Sequence, residues 1–298
     1  MGAGYIAQQI VNGLILGSMY ALVAIGFSMI YGIIRLINFA HGDIVMIGAF
    51  ATLGLMAIPG VPFPLVAVMV LGVGGLVGVL IERGAFRPMR GAPQVTGFIA
   101  SLAVSIILQN LGILILSAQP RNFSFPAYLQ VMINLGPVSF RLVDLMIMVT
   151  ALVLMLVLMA VVYRTKLGVA MRATAEDLDV ARLMGIDINR TIMVTFAIGS
   201  ALAGIAGLMW GGKFGQIDPL LGFVPGLKAF VAAVIGGVGS IAGAMVGGFV
   251  LGLAEVLFVG LLPPIYSAYR DAFVFSTLIV ILLILPNGLF GRSSEERA

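Results

Sequence analysis

The sequence predicts an all-α integral membrane protein: a polytopic bundle of about 8–9 transmembrane helices with one short or re-entrant segment. Hydrophobic residues make up 61% of the 298-residue chain and charged residues only 9%, whereas about 25% of a typical soluble domain is charged. Mean hydropathy is +1.18, which leaves too little polar surface to cover a soluble core. We therefore expect a single transmembrane domain over residues 1–298.

Candidate spans are stretches of about 20 apolar residues, the length that crosses the hydrocarbon of a bilayer. They lie at residues 6–30, 42–58, 63–82, 95–118, 142–163, 191–211, 241–261 and 272–290. The segment 226–240 is apolar but short, and it ends in a glycine cluster. It is therefore either a short span or a re-entrant piece.

Basic residues predict the orientation, because cytoplasmic loops carry an excess of Lys and Arg. If the charged segment 164–190 is cytoplasmic, Arg35 and the arginines at 83–90 are cytoplasmic too, while the N-terminus and the loop 119–141 lie outside. A crossing at 226–240 gives nine spans and a cytoplasmic C-terminal tail, and a re-entrant segment gives eight. The basic residues Arg292 and Arg297 of the tail favour nine.

Small residues recur every four positions in two of the later spans. The rows are Gly199, Ala203, Gly207 and Gly211; Gly239, Gly243 and Gly247; and Gly248 and Gly252. This interval lets helix backbones approach closely in lipid. We expect close packing within one subunit, and a specific dimer seam is the alternative.

Several kinds of chemistry are poorly supported. The chain has no GxxxxGK[ST] phosphate loop, so it lacks the residues for ATP hydrolysis by that route. It has no cysteine for thiol chemistry, and its single histidine gives little support to histidine metal sites or Ser-His-Asp catalysis. We predict a non-catalytic subunit with no catalytic or metal residue and no bound cofactor. The sequence pI of about 9.6 is interpreted as a topology signal and not as nucleic-acid binding.

Polar residues at membrane depth need an explanation, because burying them costs free energy unless they are paired or hydrated. Candidates for a solute pathway or gate are Asn12, Ser18, Asn38, His41, Asp43, Gln109 and Asn110. As alternatives, Gln109 and Asn110 bond neighbouring helices, and Asp43 stabilises the start of the second span. Lys228 and Glu255 either pair with each other or reach towards the interface.

The segment Arg164–Arg190 holds nine of the 28 charged side chains in the chain. Residues 174–177 match a capping box with Thr174 as N-cap, which predicts a helix over 175–184. Acidic residues lie near its start and Arg182 in its last turn, as the helix dipole favours, and Asp179 and Arg182 are three residues apart and can pair. Gly185 can adopt the left-handed conformation that ends a helix. Asn189 is a plausible cap for the next span. The residues involved are Thr174, Glu176, Asp177, Asp179, Arg182, Leu183 and Gly185.

A helix this short is marginal in water, so we expect it to dock on a soluble partner. Its apolar side chains Val180, Leu183 and Met184 fall on one face and suit a groove. A solvated loop is the alternative interpretation.

Three blocks resemble a transporter family. Residues 172–186 (RATAEDLDVARLMGI) resemble the cytoplasmic coupling segment of ATP-binding-cassette (ABC) importer permeases, with the acid at Glu176 and the glycine at Gly185. Residues 12–43 and 226–255 resemble blocks of bacterial branched-chain amino acid permease subunits of the H type. Taken in this order, the blocks span most of the chain.

The resemblance implies a multi-pass permease of the bacterial inner (plasma) membrane that moves leucine, isoleucine or valine. It implies as partners a second related permease, two cytoplasmic ATPases that bind ATP and Mg, an extracytoplasmic solute-binding protein, and membrane lipid. Alternatives are a permease for urea or short amides, a self-contained channel or secondary transporter, and a scaffold without transport.

Overall fold

A computed structural model describes residues 2–291 of the chain. Its helices are α1 (Ala3–Ile34), α2 (Ala40–Met56), α3 (Phe63–Ile81), α4 (Gln94–Leu116), α5 (Leu142–Arg164), α6 (Lys166–Glu176), α7 (Leu178–Leu183), α8 (Ile188–Phe214), α9 (Phe223–Gly236), α10 (Ile241–Leu261) and α11 (Arg270–Ile284). A π-helical turn (Glu82–Phe86) extends α3, and a 3-10 turn (Pro264–Tyr269) precedes α11. Within the described part, seven helical segments are long and apolar enough to cross a membrane, and α2 and α9 are shorter apolar helices. The predicted all-α membrane fold is confirmed.

Short β-structure lies at the end of the bundle that holds the N-terminus, which is the end that we expect to be outside. Strand β1 (Arg121–Asn122) pairs antiparallel with β4 (Gln216–Ile217), and β2 (Met132–Leu135) forms a hairpin with β3 (Val138–Arg141). Gln8 at the start of α1 bonds the Ser139 backbone in both directions, at 2.9 Å to its carbonyl and 2.8 Å from its N–H. The N-terminus and the loop 119–141 therefore share one end, as predicted.

The opposite end gathers the residues that we expect to be cytoplasmic. Arg90 donates a hydrogen bond to Asn189 at the start of α8, and Arg83 Nη2 lies 3.3 Å from Met193 Sδ. One surface cavity at this end is lined by Arg35, Arg90 and Arg182 together. The structure thus confirms that the basic residues of three separate segments lie on one side.

Helix α1 is the central element and packs most extensively against α10. The two backbones approach closely because glycines face each other: a Cβ added at Gly252 would overlap Gly17, and one at Gly248 would overlap Ala21. In α8, a Cβ at Gly207 would overlap the Val45 carbonyl of α2. The predicted small-residue rows therefore pack helices within this subunit.

Helices α2 and α9 both begin in the interior of the bundle. After α1 ends at Ile34, the chain returns along it, so that His41 Nε2 lies 3.2 Å from the Val23 carbonyl. At a rise of about 1.5 Å per residue this is roughly 16 Å inside the end of α1. The start of α9 meets the same level, because Gly222 and Gly226 contact Gly42. Irregular backbone is tolerated at this depth because protein surrounds it.

The two short helices then run to opposite ends, and this decides the number of crossings. Helix α9 ends at Gly236, and the N–H of Gly239 just beyond it bonds Ser28 Oγ at 3.0 Å, near the end of α1 that we expect to be cytoplasmic. The segment after α11 also reaches this side, since Leu289 N–H bonds the Ile235 carbonyl at 2.9 Å. The segment 226–240 therefore completes a crossing, giving nine passes over residues 2–291, seven long and two short. Arg292 and Arg297, which we used for orientation, lie outside the described residues.

Candidate functional site

The charged segment forms two helices instead of the predicted single helix over 175–184. Helix α6 ends at Glu176, Asp177 adopts an extended conformation, and α7 follows. Asp177 is the N-cap of α7, because its Oδ1 accepts bonds from the N–H groups of Asp179 (2.8 Å) and Val180 (2.9 Å). The prediction of Thr174 as N-cap is wrong. Thr174 lies inside α6, where its buried hydroxyl donates to the Ala170 carbonyl at 2.7 Å.

The end of α7 agrees with the sequence, but the start of the next span does not. Gly185 has a φ of +80°, and the Ile186 N–H bonds back to the Ala181 carbonyl at 3.1 Å, which is the helix stop expected for glycine. Asn189, however, is not the cap of α8. Asp187 takes that role, because its Oδ1 accepts from the Arg190 N–H at 3.0 Å.

Helix α7 presents an apolar patch that no other part of residues 2–291 covers. Val180, Leu183 and Met184 are 55%, 87% and 77% exposed, whereas Ala181 is buried against the bundle. The predicted pair of Asp179 and Arg182 is present at 3.8 Å with both side chains exposed. Exposed apolar side chains grouped on a capped helix are typical of a protein contact.

A cavity of about 430 Å³ lies beside α7, at the end of the bundle that we expect to be cytoplasmic. Its walls include Leu178 and Arg182 of α7, Asn189 of α8 and Leu36 of the α1–α2 connection. Arg90, also in the wall, pairs with the fully buried Glu82. Partial burial lowers the pKa of the Arg90 guanidinium, and Glu82 opposes that change. Helix α7 is thus adjacent to the connection that leads to the buried start of α2.

A polar centre (Asn38, His41, Asp43 and Gln109) lies at the buried start of α2. Asp43 Oδ1 accepts from Gln109 Nε2 of α4 at 3.0 Å. Asp43 Oδ2, His41 Nδ1 and both amide atoms of Asn38 have no hydrogen-bond partner within residues 2–291, although these three side chains are at most 2% exposed. Buried polar groups without a partner carry a free-energy cost, which keeps these residues candidates for the solute pathway.

The other predicted pathway residues lie apart from this centre. Ser18 is buried and donates to the carbonyl of Ile15 in its own helix at 2.7 Å. Asn12 accepts from Gln8 at 3.2 Å near the outer end of α1. Asn110 is exposed on α4 and bonds the Ile106 carbonyl at 2.8 Å.

A second polar group at membrane depth involves two residues that the sequence analysis missed. We define the charge cluster as Lys228, Glu255, Arg270 and Asp271. Lys228 Nζ lies 2.8 Å from both Glu255 Oε1 and Asp271 Oδ1, and Arg270 Nε lies 3.1 Å from Glu255 Oε1. Of the two alternatives for Lys228 and Glu255, the structure shows pairing. No group of three or more His, Cys, Asp or Glu that suits a metal ion occurs in residues 2–291.

The chain is similar to permeases of known transport systems. The family model described as branched-chain amino acid transport system / permease component matches residues 9–283. The high-affinity branched-chain amino acid transport system permease protein LivH of Escherichia coli K12 is 39% identical over 315 residues, covering 98% of each chain. Protein BraD of Pseudomonas aeruginosa, with the same description, is 40% identical over 97% of each chain.

A shorter similarity reaches a different transporter. The xylose transport system permease protein XylH of Escherichia coli K12 is 39% identical over 94 residues, which is 30% of this chain and 24% of XylH. No solved structure matches the chain. Because the family model and the relatives cover nearly all of its length, the chain is a multi-pass inner-membrane protein that belongs to the family of branched-chain amino acid transport permease components.

Proposed function

We propose that this chain is the non-catalytic permease subunit of an ABC importer for leucine, isoleucine and valine. The observation that carries the coupling part of the proposal is the exposed apolar patch on α7 at the end predicted to be cytoplasmic. A chain without a phosphate loop needs ATP hydrolysed elsewhere. Two partner ATPases would bind ATP and Mg, and α7 offers them a capped, partly apolar contact. The relatives' names do not favour a urea or amide permease, or a self-contained channel.

The remaining partners follow from the same proposal. A second related permease completes the pathway, and an extracytoplasmic solute-binding protein delivers the amino acid at the end that carries the β2–β3 hairpin. Closure of the ATPases would displace α7 and, across the shared cavity wall, the α1–α2 connection. That connection contains Asn38 and leads into His41 at the start of α2, both in the polar centre, so a movement at the ATPase contact would reach the middle of the membrane. The solute path then changes between outward-facing and inward-facing states.

Leucine uptake tests transport directly. In proteoliposomes that contain the complete transporter, uptake requires ATP and the binding protein. ATP-independent uptake by this chain alone, in vesicles that lack the ATPases, would overturn the proposal. Urea uptake in competition with leucine would instead favour the amide alternative.

The ATPase contact is tested at Glu176. Its exposed side chain makes no hydrogen bond or ion pair within residues 2–291, so Glu176→Ala should leave the fold intact and act only through a partner. We expect ATP hydrolysis to lose its coupling to uptake in Glu176→Ala and in Leu183→Glu. Lys166→Gln, an exposed charge at the other end of α6, is the matched control. If ATP hydrolysis stays coupled to uptake in both variants, α7 does not contact the ATPase and is a solvated surface segment.

A further inference from the structure

The charge cluster has a buried half and an open half. Lys228 and Glu255 are 1% and 2% exposed, whereas the side chains of Arg270 and Asp271 are both 48% exposed. Tyr20 closes the buried half, since its hydroxyl donates to Glu255 Oε2 at 3.0 Å and Lys228 Nζ lies 5.7 Å from its ring centre. Two cations and two carboxylates make the cluster neutral as a whole. Arg270 and Asp271 form its open edge, which presents one positive and one negative group.

The open edge lies inside the membrane-spanning part of the chain. Glu255 bonds Tyr20, which stands near the middle of the 32-residue helix α1. Arg270 and Asp271 are the seventh and eighth residues of the 21-residue apolar segment Pro264–Ile284. Charges facing lipid at this depth are strongly disfavoured. The edge is therefore expected to face water or a polar ligand.

The free atoms of this edge match one kind of ligand. Among residues 2–291, the terminal guanidinium nitrogens of Arg270 and Oδ2 of Asp271 make no hydrogen bond, while the inner atoms Nε and Oδ1 lie 3.6 Å apart and contact Glu255 and Lys228. An α-amino acid carries a carboxylate and an ammonium on one carbon, at a similarly short separation. A guanidinium pairs with the first group through two parallel hydrogen bonds, and a carboxylate accepts from the second.

We infer that Arg270 and Asp271 form a binding site for a zwitterionic α-amino acid within the outer half of the membrane. Arg270 receives the α-carboxylate and Asp271 the α-ammonium, and Lys228 and Glu255 hold these two side chains in place from behind. Tyr266 and Tyr269, 49% and 60% exposed in the turn that precedes α11, give an aliphatic side chain an apolar surface. The site rests on the proposed transport of amino acids and names the residues that touch them.

The absence of cysteine allows a direct test of access. Ala272→Cys places a thiol beside the edge, on an exposed position. Val149→Cys, which is 50% exposed at comparable depth in α5, is the matched control. In proteoliposomes with the complete transporter, a water-soluble methanethiosulfonate should label Ala272→Cys and leave Val149→Cys unmodified. Labelling of Ala272→Cys no faster than of Val149→Cys overturns the inference.

Leucine protection tests the ligand. Leucine should slow the labelling of Ala272→Cys, whereas 4-methylpentanoate, which is leucine without the ammonium, and isopentylamine, which is leucine without the carboxylate, should not at equal concentration. Adding Arg270→Gln or Asp271→Asn should raise the protecting leucine concentration on the order of tenfold to hundredfold, and Arg270→Lys should retain part of the protection. Equal amounts of assembled complex, together with an unchanged labelling rate without leucine, show that the variants are folded.

The outcomes separate the site from the transport function. Leucine uptake by the same vesicles is measured in parallel. Uptake without any protection of Ala272→Cys, or equal protection by leucine and the two analogues, rules out the site and leaves the transport proposal standing. Absence of ATP-driven leucine uptake with leucine protection intact counts against the transport proposal instead.

Discussion

Lys228 on α9 and Glu255 on α10 form an ion pair of 2.8 Å inside the bundle, with both side chains almost completely buried. The pair links the short helix α9, which begins in the interior of the bundle, to the full-length span α10. Arg270 and Asp271 extend it to α11. Three C-terminal helices are therefore connected by charge at a depth where unpaired charges are costly.

Removing one member of this pair should destabilise the protein. Lys228→Met leaves Glu255 without its nearest cation, and the loss of one partner from a buried pair costs about 3–5 kcal/mol. Glu255→Gln should be comparably harmful. The double variant Lys228→Met/Glu255→Met should be less harmful than either, because it leaves neither charge of the pair behind. Thermal unfolding of the purified complex in detergent measures the relative stabilities of the three variants. A double variant that is less stable than both single variants would contradict the prediction.

Glycine contacts give a second prediction on stability. A Cβ at Gly207 would overlap the Val45 carbonyl, whereas nothing lies within 4 Å of a Cβ at Gly72 in α3. Gly207→Ala should therefore cost about 1–3 kcal/mol through overpacking, and Gly72→Ala should be neutral or slightly stabilising because Ala is the better helix former. Both are compared by thermal unfolding. Equal effects would mean that α8 and α2 do not pack as closely as described.

The cap of α7 gives a third prediction. Asp177→Ala removes the acceptor for the Asp179 and Val180 N–H groups, at a cost of about 0.5–2 kcal/mol. Hydrogen exchange of the α7 amides should become faster, while Asp177→Asn, which retains an acceptor, should stay close to the parent. Thr174→Val should leave exchange in α7 unchanged. Faster exchange in Thr174→Val than in Asp177→Ala would support the capping box that the sequence suggested.

Local signals in the sequence predicted much of the bundle. Apolar length located the spans, and the glycine at 185 ended α7 where expected, because both depend on neighbouring residues only. The capping box at Thr174 was misplaced by three residues, since Asp177 also fits the N-cap position and is better placed after the turn at Glu176. Competing caps so close together cannot be ranked without the tertiary position of each helix.

The parts that were not predicted depend on distant segments. The starts of α2 and α9 meet at Gly42, Gly222 and Gly226, which are about 180 residues apart along the chain. The predicted last span, 272–290, begins after Arg270 and Asp271, so the sequence analysis did not consider these two charges at membrane depth. The 3-10 turn Pro264–Tyr269 instead leads directly into α11, so that both charges lie at the level of Glu255. Hydropathy alone gives no sign that such charges find partners.

The polar centre gives the last prediction, because two adjacent amides of α4 have different environments. Gln109 donates to Asp43 at 3.0 Å, whereas the exposed Asn110 bonds only its own helix. Gln109→Ala would leave the buried Asp43 carboxylate without this donor, at a cost of about 1–3 kcal/mol. If the outward-facing and inward-facing states differ at this contact, the change would alter their ratio by roughly 5- to 150-fold.

We expect slower ATP-driven leucine uptake in Gln109→Ala and parental uptake in Asn110→Ala, at equal amounts of assembled complex. Equal uptake by the two variants would assign the polar centre a purely structural role.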